Sequence, residues 1–139
     1  MPTEVIENLI HLKSGDYLDC TFGVGGHSKK ILENLNSDGY LNSIDKDPKV
    51  LNFANQIKDS RFQFNNISFS EIKDFYPPSS FDGILMDLGI SSFQLDDSSR
   101  GFSFQTDSSL DMRMNQSSGL TAYEWLNQAK EKEIADVFI

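Results

Sequence analysis

Asp16-Tyr-Leu-Asp-Cys-Thr-Phe-Gly-Val-Gly-Gly-His27 is the stretch on which the fold turns. Tyr17 to Cys20 reads as a short buried strand, and the glycines at 23, 25 and 26 follow at once. Ile31, Leu32 and Leu35 then recur on one face of a helix predicted from about His27 to Asn36. Strand, glycine turn and helix in that order open a parallel β/α crossover.

The same alternation continues on either side. Val5, Ile6, Leu9, Ile10 and Leu12 predict a leading helix, which Ser14-Gly15-Asp16 stops. Asp38-Gly39 turns the chain into a second strand, Tyr40 to Asp45. Pro48 suits a first helical turn, with Val50, Leu51, Ala54 and Ile57 following at helical spacing. Arg61 to Phe64 reads as a third strand and Ile67 to Phe75 as a brief helix or turn. Pro77-Pro78 precedes Phe81 to Met86, the most strand-like run of all, read as a buried fourth strand. The fold class is α/β: four parallel strands with crossover helices.

Beyond Asp87 the pattern changes. Residues 88–118 hold nine of the eighteen serines and keep no period of two or of 3.6, so a long ordered loop is expected. Phe93, Leu95, Phe102, Phe104, Leu110, Met112 and Met114 are too many apolar anchors for a disordered linker. Thr121-Ala-Tyr-Glu124 matches a capping box that opens a helix with Trp125 and Leu126; Ile134, Ala135, Val137 and Phe138 suggest another running into the terminus. The division is therefore 1–118 and 119–139. A chain that stops at Phe138-Ile139, mid-helix, and has only four strands reads as a fragment.

Composition sets outer limits. Of 139 residues 38% are hydrophobic, enough for a core of modest size. The apolar runs fall far short of the roughly 18–20 residues of a membrane span. Met1 to Asn8 carry two Glu and no basic cluster, so no secretory signal is read there. A lone Cys20 makes no disulfide framework, and the cytoplasm is the default compartment. The formal charge of −9 speaks against a generic nucleic-acid binder, although residues 81–139, with ten acids and four bases, hold most of the excess.

A glycine loop before a helix N-terminus lets a nucleotide cofactor approach the backbone. The dinucleotide fingerprint wants a third glycine at position 28, which is Ser. Asp19 is awkward beside a pyrophosphate and suits an ammonium group, such as the methionine end of S-adenosylmethionine. A tight turn of purely structural use is the alternative. Asp45, 22 residues past Gly23, can accept both ribose hydroxyls of an adenosine, because Asp47 before Pro48 is the better helix cap and leaves Asp45 free. Phe69 can wall off an adenine ring or pack in the core. His27 offers its backbone N–H at the helix start; as a side chain it has no evident partner carboxylate. With His11 as the only other histidine, a metal site lacks parts. Asp87 ends the fourth strand and faces the ligand crevice if strands one and four are neighbours. Ser91, Ser92 and Gln94 bring hydroxyl and amide groups to the same rim.

Thr21-Phe-Gly-Val-Gly-Gly-His-Ser28, Asp45-Lys-Asp-Pro48, Asp87-Leu-Gly-Ile-Ser-Ser-Phe-Gln-Leu-Asp-Asp97, Arg100-Gly-Phe-Ser-Phe104 and Leu110-Asp-Met-Arg-Met114 together resemble the bacterial small-subunit ribosomal RNA methyltransferases that modify cytidine at N4, the methyltransferase H family. The resemblance covers nearly the whole chain, and its last three motifs are the most specific. It implies a Rossmann-like class I methyltransferase domain with an inserted helical domain starting near 119. It also implies S-adenosylmethionine as cofactor and 16S ribosomal RNA in the small ribosomal subunit as partner. By motif match Gly25, Gly26, His27, Asp45, Phe69, Asp87 and Gln94 would bind the cofactor, while Asp87, Ser91 and Ser92 are candidates for the catalytic rim. The Arg100–Met114 loop would shape a cytidine pocket, with Phe102 and Phe104 available for base stacking or as core anchors. Family members are about twice as long, and Phe93 stands where many have Pro. The oligomeric state stays open, a homodimer being one option. Two rivals remain: a nicotinamide-dependent Rossmann oxidoreductase, and a non-catalytic cofactor-binding fragment.

Overall fold

The computed structural model describes residues 2–138, which leaves the terminal Ile139 of the last expected helix outside the described residues. The chain divides into two compact units, Met1–Gly89 and Ile90–Ile139.

The first unit opens with α1 (Pro2–Leu9). The helix ends three residues short of the expected Leu12, where Leu12 N–H donates to Tyr17 Oη at 3.1 Å and Tyr17 Oη–H donates back to Leu12 O at 2.8 Å. There follow β1 (Asp16–Asp19), α2 (Gly26–Asn34) and β2 (Tyr40–Ile44). A 3-10 turn, Pro48–Val50, runs into α3 (Leu51–Ala54), and Asp47 caps it as expected by accepting from Lys49 N–H at 3.0 Å. Next come β3 (Phe62–Asn65), a 3-10 turn at Phe69–Glu71 leading into α4 (Ile72–Phe75), and β4 (Gly83–Leu85).

All pairings are parallel and the strand order is β3-β2-β1-β4. Tyr17 and Leu18 on β1 are wholly buried, as befits a strand with a neighbour on each side. One apolar cluster joins Tyr17 and Leu41 to Ile31, Leu32 and Leu35 of the α2 segment. A second, around Leu18, Cys20, Ile44 and Ile67, packs with Ile72, Tyr76 and Phe81. Burial pushes the Cys20 thiol up to about 11, with the neighbouring Asp19 adding to the effect. Gly83 lies opposite Tyr17 in register, and a Cβ there would press into the Tyr17 ring.

The fourth strand departs from expectation. It is shorter than Phe81–Met86 and stands at the sheet edge, so Ile84 keeps 49% of its surface exposed and Met86 is also open. Among the described residues β4 pairs on one side only, to β1, and so lacks the cover that a continuous apolar run suggests.

In the second unit the expected long loop contains two short pieces of helix, α5 (Ser92–Asp96) and a 3-10 turn at Ser98–Arg100. The predicted capping box holds: Thr121 caps α6 (Ala122–Gln128) by accepting from Glu124 N–H, and the Glu124 carboxylate accepts from Thr121 N–H. α7 (Glu131–Phe138) follows. Several expected anchors do not serve as such: Phe104 is 99% exposed, and Leu95, Leu110 and Met112 are also open. What is buried in this unit is polar: Gln94, Arg100 and Asp111. Among the described residues no helix is long and apolar enough to cross a membrane.

Candidate functional site

β1 and β4 are neighbours, so the chain order reverses between them and the crevice of an open α/β sheet falls at their carboxyl ends. The glycine loop leaves β1 there. Gly23 and Gly25 take left-handed backbone (φ +53° and +82°), and Gly25 is the N-cap of α2, with no side-chain cap. A Cβ on Gly25 would also meet the Phe22 ring, whereas one on Gly26 would meet nothing within 4 Å. Helix geometry provides no intrahelical acceptor for the N–H groups of Gly26, His27 and Ser28.

Two carboxylates tie the loop down. Asp45 Oδ2 accepts from Gly23 N–H at 2.9 Å and Oδ1 accepts from Asp47 N–H at 2.9 Å. Asp45 is thus not the unengaged side chain that was expected. Asp19 differs more sharply from expectation. Wholly buried, it accepts from Ser28 Oγ at 2.7 Å and from Thr21 N–H at 3.1 Å, so it braces the loop from beneath and is closed to solvent. Ser28 spends its one hydroxyl hydrogen on Asp19, so the 2.8 Å contact with Ser43 Oγ must be donated by Ser43. Burial raises the Asp19 pKa, against the lowering effect of the Ser28 and Thr21 hydrogen bonds.

Asp87 stands two residues beyond Leu85, the β1 partner of Asp19, and its side chain is 68% exposed. Its main-chain N–H donates to Thr21 Oγ1 at 2.9 Å, and its Oδ2 lies 3.2 Å from His27 Nε2. The partner carboxylate that His27 lacked in the sequence is therefore Asp87. Neither this pairing nor Thr21 was anticipated. The signal was the parallel register: β1 and β4 pair Asp19 with Leu85, and two steps further on each chain stand Thr21 and Asp87.

Phe69, 46% exposed, heads the 3-10 turn that Ser68 caps through a reciprocal box with Glu71. Nearby in sequence, Asn66 Nδ2 donates to Asp45 O at 2.6 Å, which ties the segment after β3 to the end of β2. The first unit thus holds Gly25, Gly26, His27, Asp45, Phe69 and Asp87. Ser91, Ser92 and Gln94 belong to the second unit, where Ser91 and Gln94 cap α5 reciprocally: Gln94 N–H donates to Ser91 Oγ at 3.3 Å and Ser91 N–H to Gln94 Oε1 at 3.0 Å. Ser92, the first helical residue, is exposed.

A glycine loop at the switch point of an all-parallel sheet defines the class: an open α/β domain of the Rossmann-like type. A family model described as the MraW methylase family matches residues 1–139, and the chain belongs to that family. The ribosomal RNA small subunit methyltransferase H of Buchnera aphidicola subsp. Acyrthosiphon pisum (strain APS) is 48% identical over 141 residues, covering 99% of this chain and 45% of that protein. Proteins of the same name from Shewanella halifaxensis (strain HAW-EB4) and Rickettsia canadensis (strain McKiel) are each 46% identical, over 98% and 99% of this chain and 45% and 44% of theirs. The chain spans less than half the length of these relatives.

Proposed function

We propose that the protein to which this chain belongs transfers a methyl group from S-adenosylmethionine to the exocyclic N4 of a cytidine in 16S ribosomal RNA of the small ribosomal subunit. The observation that carries this reading is the convergence of the glycine loop, Asp45 and Asp87 on the β1/β4 switch point. The names of the relatives support the RNA substrate.

The residues present fit the cofactor. Open space over Gly26 leaves room for close approach, and the α2 N-terminus offers N–H donors to a carboxylate. Asp45 would accept the ribose hydroxyls and Phe69 would lie along the adenine. Asp87, exposed where Asp19 is enclosed, is the acidic group of this rim open to a polar or cationic ligand end. Gly25, Gly26, His27 and Gln94 complete the proposed binding set. When bound, S-adenosylmethionine supplies a methyl group already activated on a sulfonium. The chain's own task is then to hold the amine in line, accept its N–H hydrogens and relieve it of one proton. Asp87, Ser91 and Ser92 are the candidates for those contacts, and residues 119–139 would begin an inserted helical domain. A cytoplasmic location follows from the substrate. The relatives are more than twice as long as this chain, so its charge of −9 does not describe the whole protein and does not oppose an RNA partner.

Mass spectrometry of 16S ribosomal RNA from cells with and without the complete gene tests the reading. Loss of one N4-methylcytidine on deletion is expected; an unchanged modification profile would overturn it. Adding the 139-residue chain alone to unmodified 30S particles tells whether it acts without the remainder.

A further inference from the structure

Asp87 is gripped at two points, and neither grip is needed to build the sheet. β4 has ended at Leu85, so a strand bond no longer holds the chain at Asp87. Its N–H instead donates to the hydroxyl of Thr21 at 2.9 Å. Thr21 is itself fixed, because its N–H donates to buried Asp19 at 3.1 Å. The carboxylate of Asp87 lies 3.2 Å from His27 Nε2, and the next residue on α2, Ser28, donates to the other oxygen of Asp19 at 2.7 Å. The result is a closed ring, Asp19–Thr21–Asp87–His27–Ser28–Asp19, with its buried side on β1 and its open side at the crevice.

The chemistry of the ring settles one proton. An ionised carboxylate only accepts, so the Nε2 that faces Asp87 carries a hydrogen. Nδ1 is enclosed and has no hydrogen-bond partner among the described residues. A base in a carboxylate–histidine pair would need that second nitrogen turned toward substrate. Here it is turned inward, so the imidazole is placed to hold the carboxylate and not to reach a substrate proton.

We propose that Thr21 and the His27 side chain are positioning residues that set the direction of the Asp87 carboxylate at the crevice, Thr21 through the main chain and His27 through the acid itself. This deepens the reading of the site as one for S-adenosylmethionine, and rests on it for the nature of the ligand. The side chain of Thr21 is then a determinant of cofactor affinity, although its hydroxyl is occupied by the protein.

The test uses the complete protein in two arms. In the first, nitrogen NMR of the histidine rings, without ligand, reads the His27 tautomer. The Nε2–H form is expected in the wild type and in Thr21→Ser, and a mixture of tautomers in Thr21→Val and Asp87→Asn. Calorimetric titration with S-adenosylmethionine is the second arm. Thr21→Val should weaken binding about tenfold, the scale of losing one hydrogen bond that holds a charged group. Thr21→Ser should bind within about twofold of wild type on the same scale. Thr21→Val added to Asp87→Asn should cost nothing further, since the group it positions is gone. Should Thr21→Val fail to fold, His27→Gln, which keeps an N–H donor, against His27→Leu, which does not, repeats the comparison. A wild-type tautomer and wild-type affinity in Thr21→Val, or full additivity with Asp87→Asn, would overturn the proposal. Failure of the wild type to bind S-adenosylmethionine would overturn the functional reading instead, and leave the NMR arm to decide the positioning.

Discussion

The two units of the chain are held by different forces. Among the described residues of the first unit the wholly buried side chains, apart from Asp19, Ser28, Ser43 and Asp47, are apolar and arranged around β1 and β2. In residues 90–139 no apolar side chain is fully enclosed among the described residues, and the buried positions are Gln94, Arg100 and Asp111. Arg100, 1% exposed, donates from Nη1 to Met114 O at 2.9 Å and meets Asp97, while its own carbonyl accepts from Met112 N–H. A hydrophobic core tolerates many sequences of the right volume. A loop pinned by an arginine depends on particular donors meeting particular carbonyls. That contrast agrees with where the specific motifs lie: Arg100–Phe104 and Leu110–Met114 are in the second unit.

One device is shared. Asp59 and Arg61 in the first unit, and Asp111 and Arg113 in the second, form the same two-residue clamp. In each, the acid accepts from the main-chain N–H, Nε and Nη2 of the arginine two positions on. The remaining Nη1 reaches carbonyl groups. Arg61 takes Leu35 O and Asn36 O through Nη1 and Leu32 O through Nη2, which satisfies the C-terminal end of α2. Arg113 takes Gly119 O.

The largest effect is expected in the core: Leu18→Ala should cost about 3 kcal/mol in denaturant unfolding and deprotect the amides of β1 and β2. Equal sensitivity to an apolar truncation at Leu126, which is only half-buried, would erase the contrast between the units. Arg100→Met should cost about 2–3 kcal/mol by removing the buried donor to Met114 O and the charge paired with Asp97, with hydrogen exchange rising first around residues 98–114. A loss below about 0.5 kcal/mol would mean that the arginine is incidental.

The clamps should show in acid. Hydrogen bonds from Arg61 and Arg113 hold Asp59 and Asp111 at about 2, below the ordinary 3.8. A depressed carboxyl stabilises the fold fully above its unfolded value, and that stabilisation is lost as pH falls from about 4 toward 2. Asp59→Asn should flatten this acid limb for the first unit and Asp111→Asn for the second, read by circular dichroism and by exchange in each segment. The smallest effect is at a cap: Thr121→Ala should fray α6 at a cost of about 1 kcal/mol.

Much of the fold was legible because its signals are local. The four strands were found within two residues at each end, and the Thr121–Glu124 box opened α6 as read. The edge position of β4 was not, since an apolar run looks alike in the middle or at the border of a sheet. α5 was missed because five residues leave no period to detect, although Ser91-Ser-Phe-Gln94 has the spacing of a capping box. In the site, the glycine loop and Asp45 were visible as motifs. The burial of Asp19, the second duty of Asp45 and the meeting of His27 with Asp87 depend on strand register and a separation of 60 residues, which periodicity does not carry.

The most direct measurement is the melting temperature of the complete protein with S-adenosylmethionine and, separately, with NAD. S-adenosylmethionine at a hundredfold excess over its dissociation constant should add about 2.7 kcal/mol of stability, a rise of several degrees, and Asp45→Ala should remove most of it. NAD should leave the midpoint unchanged. A rise with NAD and none with S-adenosylmethionine would contradict the assignment of the β1/β4 crevice.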